Sequence, residues 1–398
     1  MLKPIERDDN AFVGEENWNF PIPIAYGPGR LREIGNICSR LNAKNPLIVT
    51  DRNSRDLPFV TSLQAHLVAA SQSSQVFSIL SPNSRSDEIE AGCQAYREGH
   101  HDAIIAIGGG SAMDGAKAIG MTVNSAVPLL DFEYRKTPPS VDLSKPFPPF
   151  ITIPTTAGTG AETESGAMIT DTGSRTKLCV AHAGMRPAQT ILDPELIVGL
   201  PRNLTAWTGV DALTHALEAY LVPSFHPLCD GAALEGLALI SKWLPISYQE
   251  PTNISARGAT LVGSCLAGIA FNKGLGLTHA ISHMVGAEYD TQHGLTNAIV
   301  LPTVLRFNLP GMDEKARRLA EAMGLEDTSV DGVIGAVEDL LDALGIPKAL
   351  TEIGVPEGGA EAIARKALLD NGAHSNPRSA TLSEVIELVN QSIQGARN

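Results

Sequence analysis

The spacing of apolar residues changes near the middle of the chain. In the first half, short aliphatic runs alternate with stretches of helical spacing. Pro46–Asp51 (PLIVTD) and Gln75–Leu80 (QVFSIL) read as strands, the first ending in an acid. Ser86–His100 has helical periodicity and carries Asp87 and Glu88 in its first turn, where carboxylates suit the helix dipole. Asp102–Ile107 (DAIIAI) is apolar throughout, as expected for a strand covered on both faces of a parallel sheet. The glycines of Gly108–Ser111 follow, then a helical segment to about Asn124, and Phe150–Pro154 (FITIP) reads as one more strand. This rhythm predicts a doubly wound α/β domain.

Beyond about Leu200 the strand-like runs stop. Helical spacing fits Leu204–Leu221, Leu228–Leu244, Ile254–Phe271, Thr278–Glu288 and Gly294–Phe307. It also fits Asp313–Met323, Val330–Leu344, Gly359–Leu369 and Leu382–Ile393. The expectation is an α/β domain over residues 1–198 and an all-helical domain over 199–398, with Pro194 and Pro201 at the junction. The apolar stretch Gly258–Phe271 reads as a buried helix, too short to span a bilayer.

Composition narrows the function classes. Of 398 residues, 43% are hydrophobic and 19% charged, which excludes disorder as the main state. Lys plus Arg number 30 against 44 Asp plus Glu, a formal net charge of −14, so neither nucleic acid nor an anionic membrane is an expected partner. Cys38, Cys93, Cys179, Cys229 and Cys265 are scattered with no CxxC pair, which predicts reduced thiols and a cytoplasmic location. Met1–Glu16 is rich in acids and lacks an apolar core, so no signal peptide is expected there.

Two constellations carry chemistry. The first is Gly108-Gly109-Gly110-Ser111-Ala112-Met113-Asp114, between a buried strand and a helix start. Glycines let backbone N–H groups approach an anion, and the helix N-terminus adds partial positive charge, so this turn suits a pyrophosphate. A plain tight turn uses the same glycines. Three further features favour a dinucleotide. Asp51 ends an earlier strand, where a carboxylate could accept ribose hydroxyls and repel a 2′-phosphate, favouring NAD over NADP. Pro154–Gly160 offers the hydroxyls of Thr155, Thr156 and Thr159 at another strand end, and Lys177 follows the turn Asp171–Ser174.

The second constellation is helical. Asp211 and His215 are four residues apart, as are His279 and His283, so each pair shares a helix face; His293 follows closely. One carboxylate with three imidazoles and an open position suits a catalytic divalent transition metal. Spacing alone leaves open which of the four histidines is not a ligand.

The stretches GGGSAMDGAKAIG (Gly108–Gly120), IPTTAGTGAE (Ile153–Glu162), DPEL (Asp193–Leu196), TGVDALTHALEAY (Thr208–Tyr220) and GLTHAISHMVGAEYDTQHGLTNAIVLP (Gly276–Pro302) together resemble the iron-containing (group III) alcohol dehydrogenases, from about Asn19 to Gln391. The resemblance implies a dehydroquinate synthase-like α/β dinucleotide-binding domain and an all-α domain, with the active site between them. It implies metal ligands at Asp211, His215, His279 and His293, and a catalytic role without ligation for His283. It places cofactor contacts at Asp51, Asn83, Gly109, Gly110, Ser111, Asp114, Thr155, Thr156, Thr159 and Lys177. Gly166 stands where some relatives carry an asparagine and is not assigned. The expected activity is reversible hydride transfer between a small alcohol, or its aldehyde, and NAD, with Fe²⁺ or alternatively Zn²⁺, in a homodimer. The competing reading is a lyase of the dehydroquinate synthase type, or a zinc polyol dehydrogenase, using the same cradle.

Overall fold

The computed structural model describes residues 22–395 except positions 143 and 175. The signal-peptide expectation for Met1–Glu16 and the start of the resemblance near Asn19 lie outside the described residues.

Among the described residues, eight strands lie in the first half: β1 Ile24–Tyr26, β2 Pro46–Asp51, β3 Gln75–Leu80, β4 Ala103–Gly108, β5 Phe150–Pro154, β6 Gly166–Asp171, β7 Thr176–Ala181 and β8 Gln189–Leu192. Six form one sheet in the order β1-β8-β5-β4-β2-β3, with every pairing parallel. The remaining pair, β6 and β7, is an antiparallel hairpin around the turn that precedes Lys177. Helices α1 Ile34–Arg40, α2 Pro58–Ala69, α3 Ser86–Glu98 and α4 Gly110–Val123 connect the strands.

The continuous apolar runs have a direct cause. Leu47, Val49, Ile104 and Ala106 point into one core with α3 and α4, while Ile48, Ile105 and Ile107 point into a second core with α1 and α2. Both faces of β2 and β4 are covered, so no polar alternation survives. The strands missed in the sequence carry weaker signals. β1 has three residues, and β6 and β7 are only partly buried. Helix α3 begins at Ser86 with Arg85 at its N-cap position, its Glu88 carboxylate accepting the Arg85 backbone N–H at 3.1 Å.

The second half is helical: α5 Arg202–Leu221, α6 Pro227–Gln249, α7 Ile254–Ala270, α8 Leu277–Tyr289, α9 His293–Asn308, α10 Asp313–Met323, α11 Val330–Ala343, α12 Ala360–Ala367, α13 Asn371–Ser375 and α14 Leu382–Gln394. Helix α5 is buried almost all round, packed against α6, α7 and α9, which is why its sequence shows little amphipathic contrast. With its 3₁₀ extension, α7 runs to Lys273; these 20 residues are apolar and long enough to cross a membrane, yet 67% of the tested stretch is buried inside the fold. The sequence reading had given it a shorter span.

The two halves meet through bare backbone at one point. A Cβ on Gly160 would lie 2.4 Å from the Gly268 Cα, and one on Gly268 would lie 2.5 Å from the Gly160 Cα. Gly160 has φ +62°, a left-handed conformation that favours glycine.

Candidate active site

Strand ends build one wall. In register, Gly108 pairs with Pro154 and Asp51 with Leu80, so the ends of β2, β3, β4 and β5 open on one edge of the sheet. Ligands of open α/β sheets bind outside such carboxyl ends. Helix α4 begins at Gly110 with Gly109 as its cap, so the glycine turn is tighter than the sequence suggested. The Thr155 backbone N–H donates to the Gly108 carbonyl at 2.9 Å, tying the threonine loop to the glycine turn. A Cβ on Gly110 would come within 2.8 Å of the Thr159 methyl, and one on Gly109 within 3.5 Å of Thr156. The Thr156 hydroxyl is buried without a hydrogen-bond partner. A glycine turn with no room for a side chain at Gly110, an orphaned hydroxyl and a helix N-terminus fits a pyrophosphate-bearing cofactor.

The other predicted cofactor residues surround this turn. Asp51 accepts the backbone N–H groups of Asn53 at 2.9 Å and Ser54 at 3.1 Å, and the Ser54 hydroxyl at 2.6 Å, so its carboxylate also organises its own loop. The Ser111 carbonyl accepts the Ser84 hydroxyl at 3.0 Å. Burial pushes the Asp114 carboxyl above the usual range, opposed by Lys117 and Lys177. Burial likewise depresses the Lys177 ammonium, against the carboxylates of Asp114, Asp211, Asp290 and Asp370. Lys177 Nζ donates to Asn83 Oδ1 at 3.2 Å, and Asn83 Nδ2 donates to Asp290 Oδ1 at 2.9 Å. These bonds link β7 and the β3–α3 loop to the end of α8, across the cleft.

Helices build the opposite wall. Asp211 and His215 project from α5, His279 from the first turn of α8, and His293 from the first turn of α9. Ligand atoms of Asp211, His215 and His279 all lie within 4.8 Å of one another. From Asp211 Oδ1, the Nε2 atoms of His215, His279 and His293 lie at 3.9, 3.7 and 3.6 Å. Bonds of ~2.1 Å at tetrahedral angles put donor atoms ~3.4 Å apart, so the set needs little adjustment to share an ion. His293 stands at the rim, with 31% of its side chain exposed, outside the compact triad.

Asp211 and His215 are held in the protonation states a metal ligand needs, and His279 holds a second proton that a bound cation would displace. Burial would raise the Asp211 carboxyl, but His215, His293 and His279 hold it well below the usual carboxylate range. Burial depresses His215 to about 4, leaving it a neutral donor. For His279, burial is outweighed by hydrogen bonds to Asp211 and Glu218, which raise it to about 9. A mostly buried anion among imidazole lone pairs is the donor chemistry of a divalent transition metal.

Three residues that the sequence reading did not single out complete this wall. Glu218 lies three residues after His215 on α5 and is buried. Its carboxylate accepts His279 Nδ1–H at 2.7 Å and the backbone N–H groups of Gly276 at 3.0 Å and Thr278 at 2.7 Å. It therefore caps α8 and aims His279 Nε2 at the ion position. Asp370 takes Nδ1–H of His283 at 3.0 Å while also capping α13. Asn297, one turn after His293, reaches into the ligand cluster. Helical spacing from His215 and His293 could have flagged Glu218 and Asn297; Asp370 lies 87 positions from its partner and carries no local signal.

His283 sits beside the ligands. Its ring stacks on His293 at a centroid distance of 5.3 Å and lies 5.9 Å from His279. With Nδ1 engaged by Asp370, Nε2 is the ring atom left for proton exchange.

A parallel-sheet dinucleotide cradle opposite a carboxylate–imidazole centre on helices defines a metal-dependent, nicotinamide-linked oxidoreductase. Residues 21–194 match the family described as iron-containing alcohol dehydrogenase, and residues 205–393 match the Fe-containing alcohol dehydrogenase family, C-terminal. The chain is 35% identical over 385 residues to NAD-dependent methanol dehydrogenase of Bacillus methanolicus, covering 94% of this chain and 100% of that protein. It is 35% identical over 376 residues to 1,3-propanediol dehydrogenase of Citrobacter freundii, covering 92% and 96%. The crystal structure of a 1,3-propanediol oxidoreductase superposes with a TM-score of 0.90 at 33% identity, covering 95% of this chain and 100% of that one. The chain belongs to the iron-containing alcohol dehydrogenase family.

Proposed function

We propose that this protein catalyses reversible, metal-dependent oxidation of a small primary alcohol or diol to its aldehyde with NAD. The observation that carries the reading is the convergence of Asp211, His215 and His279 on one point, opposite the glycine turn. The names of relatives such as methanol dehydrogenase, 1,3-propanediol dehydrogenase and lactaldehyde reductase support the substrate class.

Asp211, His215, His279 and His293 would hold Fe²⁺, or Zn²⁺ in its place. When bound, the ion supplies Lewis-acid polarisation of the alcohol oxygen, and the nicotinamide accepts the hydride. The chain's own residues do the rest. Backbone N–H groups at Gly109, Gly110 and Ser111, with the hydroxyls of Thr155, Thr156 and Thr159, orient the cofactor, and Asp114 and Lys177 flank it. Asp51 favours NAD by excluding a 2′-phosphate, and Asn83 braces the cleft beside Lys177. His283 takes the alcohol proton at Nε2 and passes it to solvent, while Asp370 holds Nδ1–H and fixes the ring.

The reading includes a division into units 1–198 and 199–398, a cytoplasmic homodimer, and no nucleic-acid or membrane partner. The net charge of −14, the scattered cysteines and family analogy support these points. The test is a kinetic panel of alcohols and aldehydes with NAD and NADP, on protein loaded with Fe²⁺ or Zn²⁺. NADH formation with short alcohols or diols is expected. A flat absorbance trace across the panel with metal bound would sink the proposal.

A further inference from the structure

Asn297 is fully buried on α9, one turn after His293. Its Nδ2 lies 2.7 Å from Asp211 Oδ1, 3.1 Å from His279 Nε2 and 3.2 Å from His293 Nε2. One amide nitrogen thus touches three of the four proposed ligand atoms. Only the nitrogen end suits this position, because a carbonyl oxygen at that distance from a carboxylate oxygen would be repelled. The other end, Oδ1, is buried with no hydrogen-bond partner. A buried, unpaired carbonyl is unfavourable, so the ligand side dictates how the amide points.

We propose that Asn297 is a positioning residue of the metal centre, holding the Asp211 carboxylate through Nδ2–H so that its oxygen and the imidazole lone pairs address one point. The inference rests on the metal reading above. The neighbours are already committed elsewhere. His279 gives its Nδ1 hydrogen to Glu218 at 2.7 Å, and His293 Nδ1 faces the Ser282 hydroxyl at 3.2 Å. Nε2 of each ring is therefore the atom turned toward Asp211 Oδ1 and Asn297 Nδ2. With an ion bound, Asn297 Nδ2 would keep its hydrogen bond to Asp211 Oδ1 while the two Nε2 lone pairs turn to the cation. The arrangement makes ion affinity, not only catalysis, depend on a residue that donates no electron pair.

The test measures ion binding directly. In Asn297→Leu, the Zn²⁺ dissociation constant from chelator competition should rise ten- to a hundredfold, as for other residues that orient metal ligands. The visible spectrum of the Co²⁺-loaded variant should shift from that of wild type. Asn297→Asp keeps the shape and replaces the donor with a second acid beside Asp211. Its melting temperature should therefore rise more on Zn²⁺ addition than that of wild type, and this variant decides the matter if Asn297→Leu does not fold. A folded Asn297→Leu with wild-type affinity and Co²⁺ spectrum overturns the proposal. So does an Asn297→Asp thermal shift equal to wild type. If His279→Ala binds Zn²⁺ as tightly as wild type, the metal reading itself fails, and the proposal with it.

Discussion

The two walls of the cleft work by different means. The sheet wall offers backbone N–H groups and hydroxyls, and its geometry depends on a side chain being absent at Gly110. The helical wall offers charged and basic side chains at four-residue intervals, three of them held by a hydrogen-bonding partner: His279 by Glu218, His283 by Asp370 and Asp211 by Asn297. A backbone site is sensitive to added atoms. A side-chain site is sensitive to removed ones. Substitutions that respect this difference should separate cofactor affinity from ion affinity and from proton transfer.

The largest effect is expected at His283, the one ring of the helical wall assigned to proton exchange. His283→Ala should lower kcat by about a hundredfold or more, the usual range for a general acid–base, with metal content unchanged. Metal analysis of the purified variant checks the second half; loss of the ion would merge relay and ligand and break the comparison. Next is Glu218→Gln, whose single carbonyl oxygen can replace only one of the two carboxylate oxygens, so it loses either the Thr278 cap or the bonds from Gly276 and His279, together with the charge beside His279. Ion affinity should fall roughly ten- to a hundredfold while NAD binding is unaffected, as read by chelator competition and cofactor titration.

The sheet wall predicts the reverse pattern. Gly110→Ala places a methyl 2.8 Å from the Thr159 methyl, an overpacking that typically costs ~1–3 kcal/mol. NAD affinity should fall about tenfold, the equivalent of ~1.4 kcal/mol, with ion affinity intact. The smallest effect on activity is expected at Glu162, which is buried on the sheet side of the junction. Burial pushes its carboxyl from 4.5 to about 7. The folded form thus holds a proton that the unfolded chain releases, so its stability contribution is present at acid pH and is lost as pH rises from about 4.5 to about 7. Glu162→Gln should match wild type near pH 5 and exceed its stability at pH 8 by roughly 1–3 kcal/mol, measured by denaturant titration at both pH values.

Legibility in the sequence divides along the same line. Pro46–Asp51 and Phe150–Pro154 could be bounded to the residue because burial on both faces leaves uninterrupted apolar runs between polar turns, and Gln75–Leu80, an edge strand with Gln75 and Ile79 exposed, shows in its β-branched and aromatic residues. The helices of the second half were legible by spacing except α13, whose five residues are too few to show a period. β1 and β8 were not, being short, and neither were the half-exposed β6 and β7. The histidines and Asp211 were visible because a helix converts spacing into a shared face. Asp370 was not, because its link to His283 is made by tertiary packing over 87 positions. Glu218 sat inside a quoted motif, but its burial and its acceptance of hydrogens from Gly276, Thr278 and His279 are properties of the fold, not of the letter.

The contact between Gly160 and Gly268 is a point where the two walls meet backbone to backbone. Gly160 follows the threonine loop that faces the cofactor cradle, and Gly268 lies on α7, whose 3₁₀ extension carries Phe271 against His215. Donor and acceptor carbons react only when they approach to about 3–3.5 Å. A single methyl at either glycine would act as a shim, opening the gap over which the hydride must jump while leaving every group that handles substrate chemically unaltered.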